Sequence, residues 1–179
     1  VAGKSGNHER ETAKFLTKWY SGKTKPYLFW RTPGSGGIGT VSELNLDLYG
    51  DIYPLDPDIK KWWPFTIECK TGYDNASLDK HLKYNKSDPI KAFWIQVNDD
   101  AKKAKKYPLL IYQKLGLTPQ WVGINYFILQ TFAIELTDLR CVSLKWSVED
   151  SLHEMHFFSL NEFFDRISPT IMKERIGKC

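Results

Sequence analysis

The sequence predicts an α/β domain in which a mixed sheet is flanked by helices. Three observations point there. Helical apolar spacing marks residues 6–20 and the segment after Asp88-Pro89. Two strand-type segments, 46–53 and 64–71, have no long helical pattern between them, so they pair as an antiparallel hairpin. A strongly apolar strand, 107–113, follows the second helix.

The first helix carries Ala13, Leu16, Trp19 and Tyr20 at helical spacing and ends at Ser21-Gly22. At about 100° per residue, Glu9 falls near the middle of that apolar face and Glu11 toward its edge. An acid facing inward at a helix start needs a reason. Residues 27–31 form a short aromatic strand, and Thr32-Pro33-Gly34-Ser35-Gly36-Gly37 a flexible loop. The strand at 46–53 breaks at Gly50-Asp51, and Asp56-Pro57-Asp58 reads as the turn leading to 64–71. Asp88 is an N-cap with proline at the first helical position, and Ile90, Phe93, Trp94, Val97, Ala101 and Ala104 make the buried stripe behind it. Beyond 113, segments 121–136 and 140–146 read mostly as β, 155–158 as a short strand, and 159–167 as a capped helix.

Length and composition narrow the classes. At 179 residues, 42% hydrophobic and 26% charged, the chain is one domain with an elaboration and is not disordered. A net charge of +4 permits nucleic acid as partner without establishing it. Three widely spaced cysteines make no disulfide framework or metal pair. Residues 1–20 lack a signal peptide's apolar segment, and the apolar run at 121–136 is interrupted by Asn125, Gln130 and Glu135. A cytoplasmic protein with no membrane association is expected, in the host cytoplasm if the source is viral.

The sharpest chemistry lies in Gly50-Asp51 followed by Glu68-Cys69-Lys70. Residues two apart on a strand share a face, so Glu68 and Lys70 point one way while Ile67 and Cys69 point the other. A hairpin turning near Ile59-Lys60 sets Asp51 across from Glu68. Two such carboxylates can hold a hard cation through oxygen, and an adjacent ammonium can orient a water or steady charge on a phosphate. That arrangement suits phosphodiester hydrolysis. Asp58, after Pro57, gives a literal Pro-Asp but falls at the far end of the hairpin, so geometry prefers Asp51.

In order along the chain, Gly6-Asn7-His8-Glu9, Phe29-Trp30-Arg31-Thr32-Pro33-Gly34-Ser35-Gly36, Gly50-Asp51-Ile52 and Phe65-Thr66-Ile67-Glu68-Cys69-Lys70-Thr71 resemble the PD-(D/E)xK nuclease superfamily. Within it they look most like the archaeal and viral Holliday-junction resolvases. The resemblance implies a restriction-endonuclease-like core over 1–113 with a β-rich elaboration at 114–179. It makes Asp51 and Glu68 ligands of Mg²⁺ or Mn²⁺, Lys70 the catalytic lysine, and Glu9 a member of the acidic cluster, often through water. The Cys69 backbone carbonyl joins as a ligand, and Ser35, Arg31 and Lys4 contact or support the DNA. It also implies branched DNA as substrate and a homodimer. Gly50 replaces the superfamily's proline, a change expected to cost little, and the tail after Gln113 exceeds the minimal resolvase fold.

The competing assignments are plainer. Glu9 could satisfy its helix dipole, and residues 32–37 could be a connector whose glycines permit close approach to phosphate. Lys102, Lys103, Lys105 and Lys106 most simply complete a helix macrodipole, with phosphate contact as the alternative. Trp62-Trp63 fits core or interface. Gly22-Lys23-Thr24 lacks the upstream glycine of a phosphate loop, and His153 and His156 carry no metal. Cys69 is expected to be packed rather than nucleophilic.

Overall fold

The computed structural model describes residues 4–33, 49–72, 89–114, 120–148 and 151–176. One seven-stranded mixed sheet organises them, in the order β1-β2-β3-β4-β5-β7-β6. Helix α1 (Lys4–Ser21) leads into β1 (Phe29–Arg31), β2 (Ile52–Pro54), the single turn α2 (Pro57–Lys60) and β3 (Phe65–Thr71). Helix α3 (Pro89–Ala104) then crosses to β4 (Tyr107–Gln113) and β5 (Trp121–Ile124). The chain ends with α4 (Tyr126–Thr131), α5 (Ala133–Leu136), β6 (Val142–Val148), β7 (Ser151–Ser159), α6 (Leu160–Arg166) and α7 (Pro169–Ile176).

The expected hairpin forms, with β2 antiparallel to β3 through Ile52 and Ile67, and β3 runs parallel to β4 along its length from Phe65–Tyr107 to Thr71–Gln113. A parallel pair with helices on both faces should read as near-continuous apolar sequence. Both strands largely do; Glu68 and Lys70 are the charged exceptions, and Thr66, Thr71 and Gln113 the uncharged polar ones. On one face, Ile67, Cys69, Leu109 and Ile111 pack with Ala13 and Leu16 of α1 and with the C-terminal helices. On the other, Leu110 and Tyr112 meet Ile90, Phe93, Trp94 and Val97 of α3, joined by Met155 and Phe157 of β7. The buried stripe read for the helix after Asp88 is the one found; Asp88 itself, and the strand start at 46–48, lie outside the described residues.

Three differences from the sequence reading have local causes. Asp56-Pro57-Asp58 does not make a simple turn: the Asp56 carboxylate accepts from the N–H groups of Asp58 and Ile59, and Pro57 opens a helical turn. The run 121–136 is β only to Ile124. There Asn125 caps the Ile128 N–H at 2.9 Å, and the buried Ile128, Phe132 and Leu136 recur every four residues, a helical period. Helix α7 was not anticipated, although Ser168-Pro169 starts it as a cap and first-turn proline; the Ser168 hydroxyl accepts from Ile171 N–H at 3.3 Å. The helix at 159–167 forms as α6, but Ser159 makes no side-chain cap bond. Trp63 is core, set edge-on to Trp19, Phe29 and Phe65, and Trp62 stacks on Tyr20. Among the described residues no helix is long and apolar enough to cross a membrane.

Candidate active site

Asp51 is fixed by its backbone before its side chain acts. Its N–H donates to the Ile67 carbonyl at 2.6 Å, and its own carbonyl accepts from Thr32 N–H at 2.8 Å. It is thus tied to β3 on one side and to the end of β1 on the other. One step from the Ile52–Ile67 pair, it stands across from Glu68. Its Oδ2 accepts from the Cys69 N–H at 2.8 Å, which aims the carboxylate along β3.

Glu68 lies on the α3 face, and its Oε1 takes two donors. Lys70 Nζ pairs with it at 2.5 Å and Gln96 Nε2 of α3 donates at 2.9 Å. Lys70, largely covered, also rests over the Phe93 ring. Glu9 is 3% exposed on the inward face of α1, where the helical period put it, and pairs with Arg31 at 3.0 Å; Glu11 stays outside with Lys14. Gly6 lets that guanidinium lie against α1, since a Cβ there would meet Arg31 Nη1 at 2.9 Å. Other buried polar residues nearby are His8 and Thr12 on α1, Thr32 just past β1 and Thr66 on β3. A polar interior concentrated in one place is costly unless it serves a site.

The electrostatics follow from burial. Asp51 is pushed up to about 7, first by desolvation and then by the Glu68 charge. Desolvation also raises Glu68, with Lys70 opposing it. Burial holds the Cys69 thiol well above its usual range, so it is packed and no nucleophile. Among the described residues no three His, Cys, Asp or Glu side chains converge into a metal cage. Glu9, held by Arg31, is a neighbouring charge that adds to the rise of Asp51. Arg31 is engaged by Glu9, while Ser35 and the Lys4 side chain lie outside the described residues. Asp58 is exposed and bonded to Lys61 at 2.7 Å, remote in role from the acids. His156 is held by Ser143 and Glu154. Gln96 escaped the sequence reading: nothing in its own strand-free surroundings marks it, and only the α3 crossover brings it to Glu68.

Two buried carboxylates with only oxygen donors and one ammonium suit a hard divalent cation, whose charge would offset the burial and the repulsion that raise Asp51. An acid–acid–lysine set on the hairpin of a mixed sheet flanked by helices defines the PD-(D/E)xK class of nuclease. The model of the family described as "Phage putative PDDEXK endonuclease" matches residues 3–173, and the chain belongs to that family. No curated protein and no solved structure matches the chain.

Proposed function

We propose that the chain is a Mg²⁺- or Mn²⁺-dependent DNA endonuclease that acts on branched DNA, resolving four-way junctions as a homodimer. The observation that carries the catalytic part is the pair Asp51 and Glu68, buried side by side with Lys70 on the Glu68 oxygen. Asp51 and Glu68 would hold the cation, with the Cys69 carbonyl as a further ligand and Glu9 reaching it through water. The cation supplies Lewis acidity and lowers the cost of deprotonating water. Lys70 orients the attacking water and steadies charge on the phosphate. Gln96 keeps Glu68 turned toward Lys70, and Arg31 keeps Glu9 in place. The junction preference rests on the order and spacing of the motifs, and a two-fold dimer would present two such sites to symmetry-related strands. A phage nuclease acting on ordinary duplex is the second reading, favoured by the three strands that extend the sheet beyond β4.

The test compares a synthetic four-way junction with a linear duplex of the same sequence, in Mg²⁺, Mn²⁺ and EDTA. Metal-dependent cutting of the junction alone is expected. Equal cutting of duplex removes the junction assignment, and no cutting of any DNA removes the nuclease. In the same assay Gln96→Leu should slow single-turnover cleavage about 10-fold, the usual cost of losing a partner that orients a ligand. Its melting temperature should stay close to the parent's because Gln96 is exposed on α3. An unchanged rate would relieve Gln96 of that role.

A further inference from the structure

A second feature lies at the opposite end of β3, where a cleft of about 610 Å³ opens. Parallel pairing sets Phe65 beside Tyr107, and the Tyr107 N–H donates to the Pro64 carbonyl at 2.8 Å. The segments ahead of the two strands, distant in sequence, therefore lie side by side. One brings Lys60 and Lys61, the other Lys105 and Lys106, and no acid is among the residues lining the cleft. The dipole of α3 does not account for this convergence. Lys102 and Lys103 already occupy its last turn and pair with Asp99 and Asp100, while Lys60 ends α2 and Lys61, paired with Asp58, follows it.

Lys105 adds an independent observation. It takes φ 55°, closing α3 in the left-handed conformation that glycine or asparagine fills with less strain. Its neighbour's N–H reaches back to the Ala101 carbonyl at 2.9 Å. The cleft thus carries a lysine at a position whose backbone conformation glycine would fill with less strain.

We propose that this cleft is a second anchoring site for nucleic acid, taking the phosphate backbone of DNA without regard to sequence. The identity of the polyanion rests on the nuclease reading above. The aromatic walls favour phosphates over bases: Trp62 stacks on Tyr20 and Tyr107 on Phe127, so these rings are engaged within the fold. Glu68 lies four residues along β3 from Pro64, about 13 Å at strand rise. A duplex touching both ends must extend several base pairs past the acidic site.

Binding of a labelled duplex of about 30 base pairs, measured in EDTA across a salt series, tests this. One variant carries Lys60→Gln, Lys61→Gln, Lys105→Gln and Lys106→Gln. A control carries the same charge change elsewhere, at Lys14, Lys23, Lys25 and Lys145. The cleft variant should bind about 10- to 100-fold more weakly, with a salt slope shallower by roughly 2 to 4, and the control should lose far less. Lys105→Gly alone should melt higher than the parent yet bind more weakly, a combination that a merely structural lysine would not produce. Equal losses in both four-site variants, or an unchanged slope in the cleft variant, overturn the site while leaving the nuclease intact. A parent protein that binds no DNA at low salt overturns both.

Discussion

Asp51→Asn is expected to abolish metal-dependent cleavage and, in EDTA at pH 8, to raise the melting temperature. Both effects come from one fact. The Asp51 carboxylate is 6% exposed and stands beside Glu68, so its charge is poorly solvated and repelled. Charging it in the folded protein costs free energy that the unfolded chain does not spend. A rise from 3.8 to about 7 corresponds to roughly 4 kcal/mol as an upper figure, at about 1.4 kcal/mol per unit. Sharing of that repulsion with Glu68 brings the expected gain nearer to about 1–3 kcal/mol, or roughly 2–4 °C for each kcal/mol in a chain of this size. Asparagine keeps an oxygen for the Cys69 N–H, so the local geometry survives. Cleavage loses a ligand whose contribution is several kcal/mol, on the order of 10³-fold or more. A variant that cuts normally would remove Asp51 from the chemistry. One that melts lower at pH 8 would show that its charge is not a burden.

The pH dependence of the metal-free protein carries the same sign. Between the unfolded value and about 7 the folded state keeps a proton that the unfolded chain releases, so stability falls as pH rises through that window and levels off above it. Glu68, also raised by burial, adds to the fall. His8 and His156 oppose it: burial lowers both, so the unfolded chain takes up the extra protons and their contribution rises with pH toward 6.5. The difference between parent and Asp51→Asn, followed by thermal melts from pH 4 to 8, isolates Asp51. It should widen in favour of the variant as pH rises.

What the sequence revealed and what it withheld divide along physical lines. The α3 stripe and the inward Glu9 depend on helical period alone, which neighbouring residues carry themselves. The facing of Asp51 and Glu68 needed only the alternation of β3 and the absence of a long helix between the strands. The run 121–136 reads as β from its apolar density, which masks its period. Ile128, Phe132 and Leu136 already carried the helical spacing, and Asn125 the cap. Other features were beyond local pattern. Gln96 meets Glu68 only because the α3 crossover lays it over β3. The lysines ahead of β3 and β4 meet only through the parallel register, so in sequence they read as a hairpin turn and an unrelated helix end. Gly50 looked like a harmless substitute for proline, whose φ near −65° cannot reach the +89° found here.

That conformation makes Gly50→Ala the substitution with the largest expected loss of stability among the described glycines of left-handed φ. An added Cβ would sit 2.6 Å from the Ile67 carbonyl oxygen and 3.0 Å from both Ile67 N and Thr66 Cγ2. The atoms it meets are mostly backbone, and β3 cannot retreat because β4 pairs along its whole length. The same Ile67 oxygen accepts the Asp51 N–H, so any shift that relieves the contact also displaces the Asp51 carboxylate. Gly72 supplies the comparison within the same chain: its φ is +84°, yet a Cβ there meets nothing within 4 Å. Gly72→Ala should therefore cost only the left-handed strain, about 1 kcal/mol. Gly50→Ala should cost roughly 3 kcal/mol or more, lowering the melting temperature by about 6 °C or more. It should also slow cleavage about 10²-fold with Asp51 chemically intact, since a displacement near 1 Å is enough for that. Equal melting temperatures for the two alanine variants would mean that the close approach of the Gly50 backbone to β3 does not fix Asp51.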